Sequence, residues 1–187
     1  QTVVTAIAAQ NGLFASFQPK PLPHASGSGL HLNFSIMDGG RNLFERFPSR
    51  EDARAAAFLA GILRRVPELT VFANPLPASY RRLGRMEAPG RVGWSYHDRA
   101  ALVRIPAASG ADCRMELRSP DPACNPYYTV ALLLAAGLEG VAEKLPLPDA
   151  DARGTLARGA ELPVSLAQAA ELAQNSEFLR AHLPEPL

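Results

Sequence analysis

The sequence predicts an α+β fold, an antiparallel sheet with helices packed on its outer face, and three observations carry that expectation. Residues 30–36 alternate strictly, with Leu30, Leu32, Phe34 and Ile36 on one face and His31, Asn33 and Ser35 on the other. Residues 92–96, 100–105 and 112–118 form three further β-like runs with no helix-length crossover between them, the pattern of an antiparallel meander. Leu59, Ile62, Leu63 and Val66 recur at helical spacing, and residues 125–145 make a second, more uniformly apolar helical run.

Taken in order, residues 1–12 read as the last turns of a helix closed by Gly12 in a left-handed cap. Residues 13–18 predict a strand, and residues 19–29, rich in Pro, Ser and Gly, a loop. After the alternating strand, Asp38-Gly39-Gly40 signals a hairpin into a short strand over residues 42–47. Ser49 with Asp52 resembles a capping box for the helix through Leu59, which is expected to end near Pro67, before a short strand at residues 70–72. Residues 74–90, proline-rich and studded with arginine, predict a long ordered loop, a class of segment that is usually functional or disordered. In the run at 112–118, Cys113, Met115 and Leu117 face the core while Arg114, Glu116 and Arg118 share the opposite face. Residues 147–159 read as a flexible connection, and Ser165 with Gln168 opens a further short helix.

A chain of 187 residues, 47% of them hydrophobic, can bury one sizeable core, so a single globular domain is expected. The net charge of +1 supplies no overall field for nucleic acid or an anionic membrane, so basic residues must act locally. Of the 19 basic residues only Lys20 and Lys144 are lysine, leaving 17 arginines, whose planar fork suits bidentate recognition of carboxylate and phosphate. A GC-rich genome is the other account of that bias. Cys113 and Cys124 form no Cys-x-x-Cys pair and read as reduced thiols. No charged and apolar leader opens the sequence, and no apolar run approaches the roughly 18 residues needed to span a bilayer, so a cytoplasmic protein without membrane contact is expected.

The candidate chemistry lies on the polar faces of the strands. His31 and Glu116 each project from such a face, and imidazole plus carboxylate is a partial coordination sphere for a divalent ion. Arg99, Arg104, Arg114 and Arg118 crowd the same strands, cationic forks able to neutralise phosphate oxygens and a substrate carboxylate. Pattern alone favours an exposed salt-bridge ladder pairing Glu116 with its arginine neighbours, and a lone histidine is more often packed or on the surface than a ligand.

Longer motifs add to this. Phe17-Gln18-Pro19-Lys20-Pro21, Gly27-Ser28-Gly29-Leu30-His31, Asn74-Pro75 and Ser79-Tyr80-Arg81-Arg82-Leu83 follow one another along the chain. Glu87-Ala88-Pro89, Trp94-Ser95, Asp98-Arg99, Arg104-Ile105-Pro106, Arg114-Met115-Glu116-Leu117-Arg118, Pro120-Asp121-Pro122 and Asn125-Pro126-Tyr127 continue the order. Together they closely resemble consecutive motifs of the glutamine synthetase catalytic domain, and residues 1–187 are expected to be a partial copy of it, its sheet part of the family's barrel. The resemblance implies ATP-dependent ligation of ammonia to glutamate through a γ-glutamyl phosphate, with ATP and Mg2+ or Mn2+. Residue by residue, it implies His31 and Glu116 as metal ligands and Gly27, Arg82 and Arg99 at the glutamate pocket. It implies Asn33, Ser35 and Arg104 near the nucleotide, Arg99 and Arg118 at the phosphoryl group, and Glu87 as the flap residue that helps deprotonate ammonium.

Some positions depart from the family pattern. Ser26 stands where the family usually has an asparagine, Asn33 where many members have a second histidine, and the interval from Leu83 to Glu87 is one residue shorter than in the commonest bacterial form. His24, His97 and His182 match no functional position and read as surface histidines. The family's other metal-binding glutamates, its small N-terminal domain and its final helices have no counterpart in the sequence, so the chain is expected to be inactive by itself. The intact parent would be a homo-oligomer of stacked rings. A γ-glutamyl ligase acting on an organic amine and a non-catalytic scaffold are the alternative readings.

Overall fold

A computed structural model describes residues 1–151 and 159–183. Helix α1 spans Thr2–Gln10 and ends as expected: Gly12 adopts φ +69°, its N–H donates to the Ala9 carbonyl, and Leu13 N–H donates to the Ala8 carbonyl. No residue of α1 is buried. The strand expected at residues 13–18 does not form, because nothing among the described residues supplies a neighbouring strand to pair with, and Phe14 is 91% exposed.

Strand β1 is Leu32–Phe34, shorter than the alternating run that announced it, although the alternation of burial holds through Ile36. Strands β2 (Met37–Asp38) and β3 (Arg41–Asn42) form the expected hairpin, with Gly39 and Gly40 at φ +54° and +81°, the left-handed pair of a two-residue loop. The predicted strand over residues 42–47 stops at Asn42. There the Asn42 side chain accepts from Phe44 N–H and donates to the Cys113 carbonyl, turning the chain so that Leu43 and Phe44 enter the core.

Helix α2 runs from Arg54 to Ala73, straight through Pro67, so neither the stop at Pro67 nor the strand at 70–72 is present. Pro67 removes one donor, at a cost of about 3 kcal/mol. Beyond it, though, Leu69 and Ala73 continue the buried stripe of Leu59, Ile62 and Val66, each large side chain contributing about 1.5–3 kcal/mol. Ser49 organises a turn ahead of this helix, accepting from Glu51 and Asp52 N–H, rather than capping it. Within the expected loop at 74–90 lies helix α3, Pro77–Arg82, with proline at its first position.

Strands β4 (Trp94–Ser95), β5 (Val103–Arg104) and β6 (Met115–Leu117) join β1 in one sheet, in the order β1-β6-β5-β4. Pairs β1–β6 and β5–β6 are antiparallel as expected, but β4 and β5 are parallel, so the sheet is mixed. Residues 96–102 link β4 to β5 through turns and bends with no helix, so a parallel pair stands where a meander is expected. Helix α4 (Pro126–Ala142) is capped by Asn125, α5 (Leu166–Gln174) by Ser165 and α6 (Glu177–His182), which was not anticipated, by Ser176.

Leu32, Phe34, Val103, Met115 and Leu117 on the sheet's apolar face pack with Phe58, Leu59, Ile62, Leu132 and Leu133 of α2 and α4. The expected flexible connection is tied at its start, where Trp94 Nε1 donates to the Pro148 carbonyl and Asp151 N–H to the Trp94 carbonyl; residues 152–158 lie outside the described residues. α+β architecture with helices on one face of the sheet therefore holds, and among the described residues the strands do not close into a barrel.

Candidate active site

Strand register brings the candidate residues together. Asn33 lies opposite Glu116, Glu116 opposite Arg104 and Arg104 opposite Ser95, one row across the face away from the helices. Glu116 sits at the centre of that row. Its Oε1 is 3.1 Å from His31 Nδ1, its Oε2 accepts from Arg118 Nη1 at 3.1 Å, and Arg104 Nε lies 2.8 Å from the same oxygen as an ion pair not aligned as a hydrogen bond.

The solvent-exposed ladder is corrected here: Glu116 and Arg118 are 7% and 6% exposed, and Arg114 turns away to Asn33 Oδ1 and the Asp112 carbonyl. Burial pushes the Glu116 carboxyl up, but the Arg118 charge and hydrogen bond, with Arg104 and His31, outweigh it and hold the group below its ordinary range. Burial and the Arg118 charge lower the His31 pKa. The pair at neutral pH is thus an ionised carboxylate beside a neutral imidazole, the protonation states in which both are metal donors.

No group of three or more His, Cys, Asp or Glu able to hold a metal occurs among the described residues. His31 and Glu116 fit a divalent ion as two ligands of a larger sphere, by donor chemistry and by adjacency.

Arg118 Nε donates to the Arg99 carbonyl at 2.7 Å, which joins this cluster to a cleft of about 660 Å³ lined by Tyr96, His97, Asp98, Arg99, Arg104, Pro106 and Ala107. The side chain of Arg99 is exposed, and Arg104 faces both the cleft and Glu116. His97, read from the sequence as a surface residue, is exposed but on the wall of this cleft, a placement that its place two residues from Arg99 could have suggested. Ser35 uses its hydroxyl on the Cys113 carbonyl at 2.9 Å.

Arg82 is placed differently from the other arginines. It is 4% exposed and donates to the carbonyls of Ser119 (2.7 Å) and Arg118 (3.1 Å). Gly27 and Gly29 lie directly against it: a Cβ on Gly27 would come within 2.9 Å of Arg82 Cγ, and one on Gly29 within 2.5 Å of Arg82 Nη2. Only glycine allows this approach. Glu87 is exposed on the segment after α3, with Ser26 Oγ 3.5 Å from its carboxylate, so the tips of two loops meet beside the cluster.

Comparison with known proteins identifies the family. The model of the glutamine synthetase catalytic domain matches residues 1–187. Glutamine synthetase of Methanosarcina mazei is 45% identical over 146 residues, covering 76% of this chain and 33% of the relative. That of Clostridium saccharobutylicum is 45% identical over 149 residues (78% and 34%), and that of Thermus thermophilus 38% over 196 aligned positions (98% and 44%). The chain thus spans between a third and somewhat under half of the length of these relatives. No described helix is long and apolar enough to cross a membrane. A family model that matches residues 1–187, with relatives 38–45% identical, means that this chain belongs to the glutamine synthetase catalytic-domain family.

Proposed function

We propose that the chain supplies part of the active site of a cytoplasmic, ATP-dependent glutamate–ammonia ligase, a carbon–nitrogen ligase of glutamine biosynthesis. The observation that carries this reading is the buried Glu116 carboxylate in contact with His31, Arg118 and Arg104 at the edge of an arginine-lined cleft. Such a surplus of fixed cations over one carboxylate is suited to hold anions and to stabilise charge that builds on phosphoryl oxygens.

In this reading His31 and Glu116 hold the divalent ion, Mg2+ or Mn2+, which when bound neutralises phosphate charge and polarises a phosphoryl oxygen. Arg104, with Asn33 and Ser35 on the adjoining strand, orients the nucleotide phosphates. Arg118 and Arg99, coupled through the Arg99 carbonyl, face the transferring phosphoryl group. Gly27 and Arg82 shape the glutamate pocket, and the γ-carboxylate of glutamate attacks the terminal phosphorus of ATP with ADP as leaving group. Ammonia then displaces phosphate from the acyl phosphate, and Glu87, on its exposed loop, takes the proton released by ammonium. The remaining metal ligands, and a ring-shaped homo-oligomer, would come from the longer protein and its copies, with residues 1–187 as part of its catalytic domain.

Phosphate release by the longer protein, with ATP, Mg2+ or Mn2+, glutamate and ammonia, tests this assignment. Release with ammonia supports it. Release only with a larger amine moves the activity to γ-glutamyl-amine ligation, a reading that the Ser26–Glu87 contact at the loop tips keeps open. Silence with every amine points to a non-catalytic scaffold.

A further inference from the structure

We propose that Asp121, fixed by Asn74, is a positioning residue for Arg82 and, through it, for the glycine-rich loop beside His31. The proposal rests on the reading of Arg82 as the arginine of the glutamate pocket. Asn74 and Asp121 have no exposed surface at all. Asn74 ends α2 and uses both hydrogens of its amide: one bonds Asp121 Oδ2 at 2.8 Å, the other the Ser119 carbonyl at 2.9 Å. A flipped amide would face two acceptors with an acceptor, so its orientation is determined.

That same Ser119 carbonyl also accepts from Arg82 Nη1 at 2.7 Å, and Asp121 N–H is anchored to the Ala73 carbonyl at 3.1 Å. One oxygen therefore couples the end of α2 to the guanidinium. On its other side Arg82 bears against Gly27 and Gly29, while Leu30 N–H bonds the Pro120 carbonyl at 2.9 Å. Arg82 is clamped between the 119–121 segment and the loop leading to His31. No described carboxylate forms a direct ion pair with it, so the fully buried Asp121 serves as its countercharge at a distance, favouring the charged guanidinium against the burial that opposes it.

The network is not arranged for its own satisfaction. Asn74 Oδ1 and the hydroxyls of Tyr80 and Ser119 are buried without hydrogen-bond partners among the described residues. What the network does share is one acceptor: the Ser119 carbonyl takes a hydrogen bond from Asn74 and another from Arg82.

Asp121→Asn, which removes the charge and sets amide against amide, is to be made in the longer ligase together with Asn74→Ser, Arg82→Lys and the Asp121→Asn/Arg82→Lys double variant. Asp121→Asn is expected to raise the KM for glutamate about tenfold, with KM for ATP and kcat within about threefold, and Asn74→Ser to fall between it and wild type. In the Arg82→Lys background Asp121→Asn should add less than about twofold, because the residue acts through Arg82. Hydrogen exchange at Ser28 and Leu30 should quicken about tenfold in Asp121→Asn while α2 and α4 amides keep their protection. Unchanged glutamate KM, equal losses for both substrates, or additive effects in the double variant overturn the proposal. A wild type silent with glutamate and ATP would remove the ligase reading alone, and unchanged exchange at Ser28 and Leu30 would still overturn the positioning role.

Discussion

The helical layer and the polar sheet face, separated by a single layer of strands, handle close approach and charge in opposite ways. Between α2 and α4 the backbones touch: a Cβ on Gly61 would lie 2.1 Å from the Ala136 carbonyl oxygen, and one on Gly140 2.2 Å from that of Ala57. Around this contact every arginine is bridged to more than one carboxylate, two arginines against three glutamates, so no positive charge is left over. Arg65 binds Glu139 and Glu68 and lies over the Phe178 ring, Arg64 reaches Glu139 and Glu143, and Glu68 accepts from the Ser176 hydroxyl. Across the sheet, Arg104 and Arg118 converge on the one carboxylate of Glu116, with exposed Arg99 beside them. Around the α2–α4 contact no described arginine is left unpaired, whereas the sheet face leaves positive charge over, and that surplus is what the proposed anion-binding role draws on.

The contrast can be broken most strongly at Glu116. Under the proposed function, Glu116→Gln in the longer protein is expected to lower amine-dependent phosphate release by about 10²–10³-fold, the scale of losing one preorganised electrostatic group. Retained turnover would make the cluster another structural ion pair. Next in size, Gly140→Ala should destabilise by about 2 kcal/mol, overpacking partly offset by the better helix propensity of alanine. In thermal unfolding this reads as a Tm lower by about 4–8 °C, with turnover per folded molecule unchanged.

Smaller again, Glu139→Gln should cost about 1 kcal/mol in denaturant unfolding, less in high salt, because its ion pairs are only partly screened from water. Glu139 is held down to about 2 chiefly by its Arg65 hydrogen bonds, so this pairing persists until strongly acid pH. The smallest effect is the pH response of the site itself. His31 has a folded pKa below its ordinary 6.5, so the unfolded chain takes up the proton first and stability falls as pH drops from about 6.5. Glu116, also lowered, contributes stability above its unfolded pKa that is lost at lower pH, as its folded pKa is passed. His31→Gln should flatten the upper part of this decline in urea titrations between pH 5 and 7, and a wild-type profile already flat there would argue against a partly desolvated imidazole held neutral by the Arg118 charge.

Much of this was legible beforehand. The alternation around His31 and Arg114-Met115-Glu116 placed both candidates on polar faces, and strand pairing brings Asn33 opposite Glu116. Local rules failed where longer-range burial overrode them. Pro67 reads as a helix stop, yet Leu69 and Ala73 extend the buried stripe beyond it. Residues 13–18 read as a strand, yet a strand is a property of two segments and no described neighbour pairs with them. Arg82 shows the same limit on the site side: its motif suggests a ligand contact, and nothing in the motif foretells that its guanidinium binds two carbonyls under Gly27 and Gly29.

By itself the sequence determined which residues are apolar and at what period, and therefore the α+β class, the Gly12 end of α1, the Ser165 cap of α5, the Gly39-Gly40 hairpin and the family. These follow from side-chain chemistry and chain geometry within a few residues. Only tertiary structure decided that Glu116 is shared by His31, Arg104 and Arg118, that β4 pairs parallel with β5, and that Asn74 and Asp121 brace Arg82. Those contacts join residues tens of positions apart, and their strength depends on the exclusion of water, which no local pattern of the chain records.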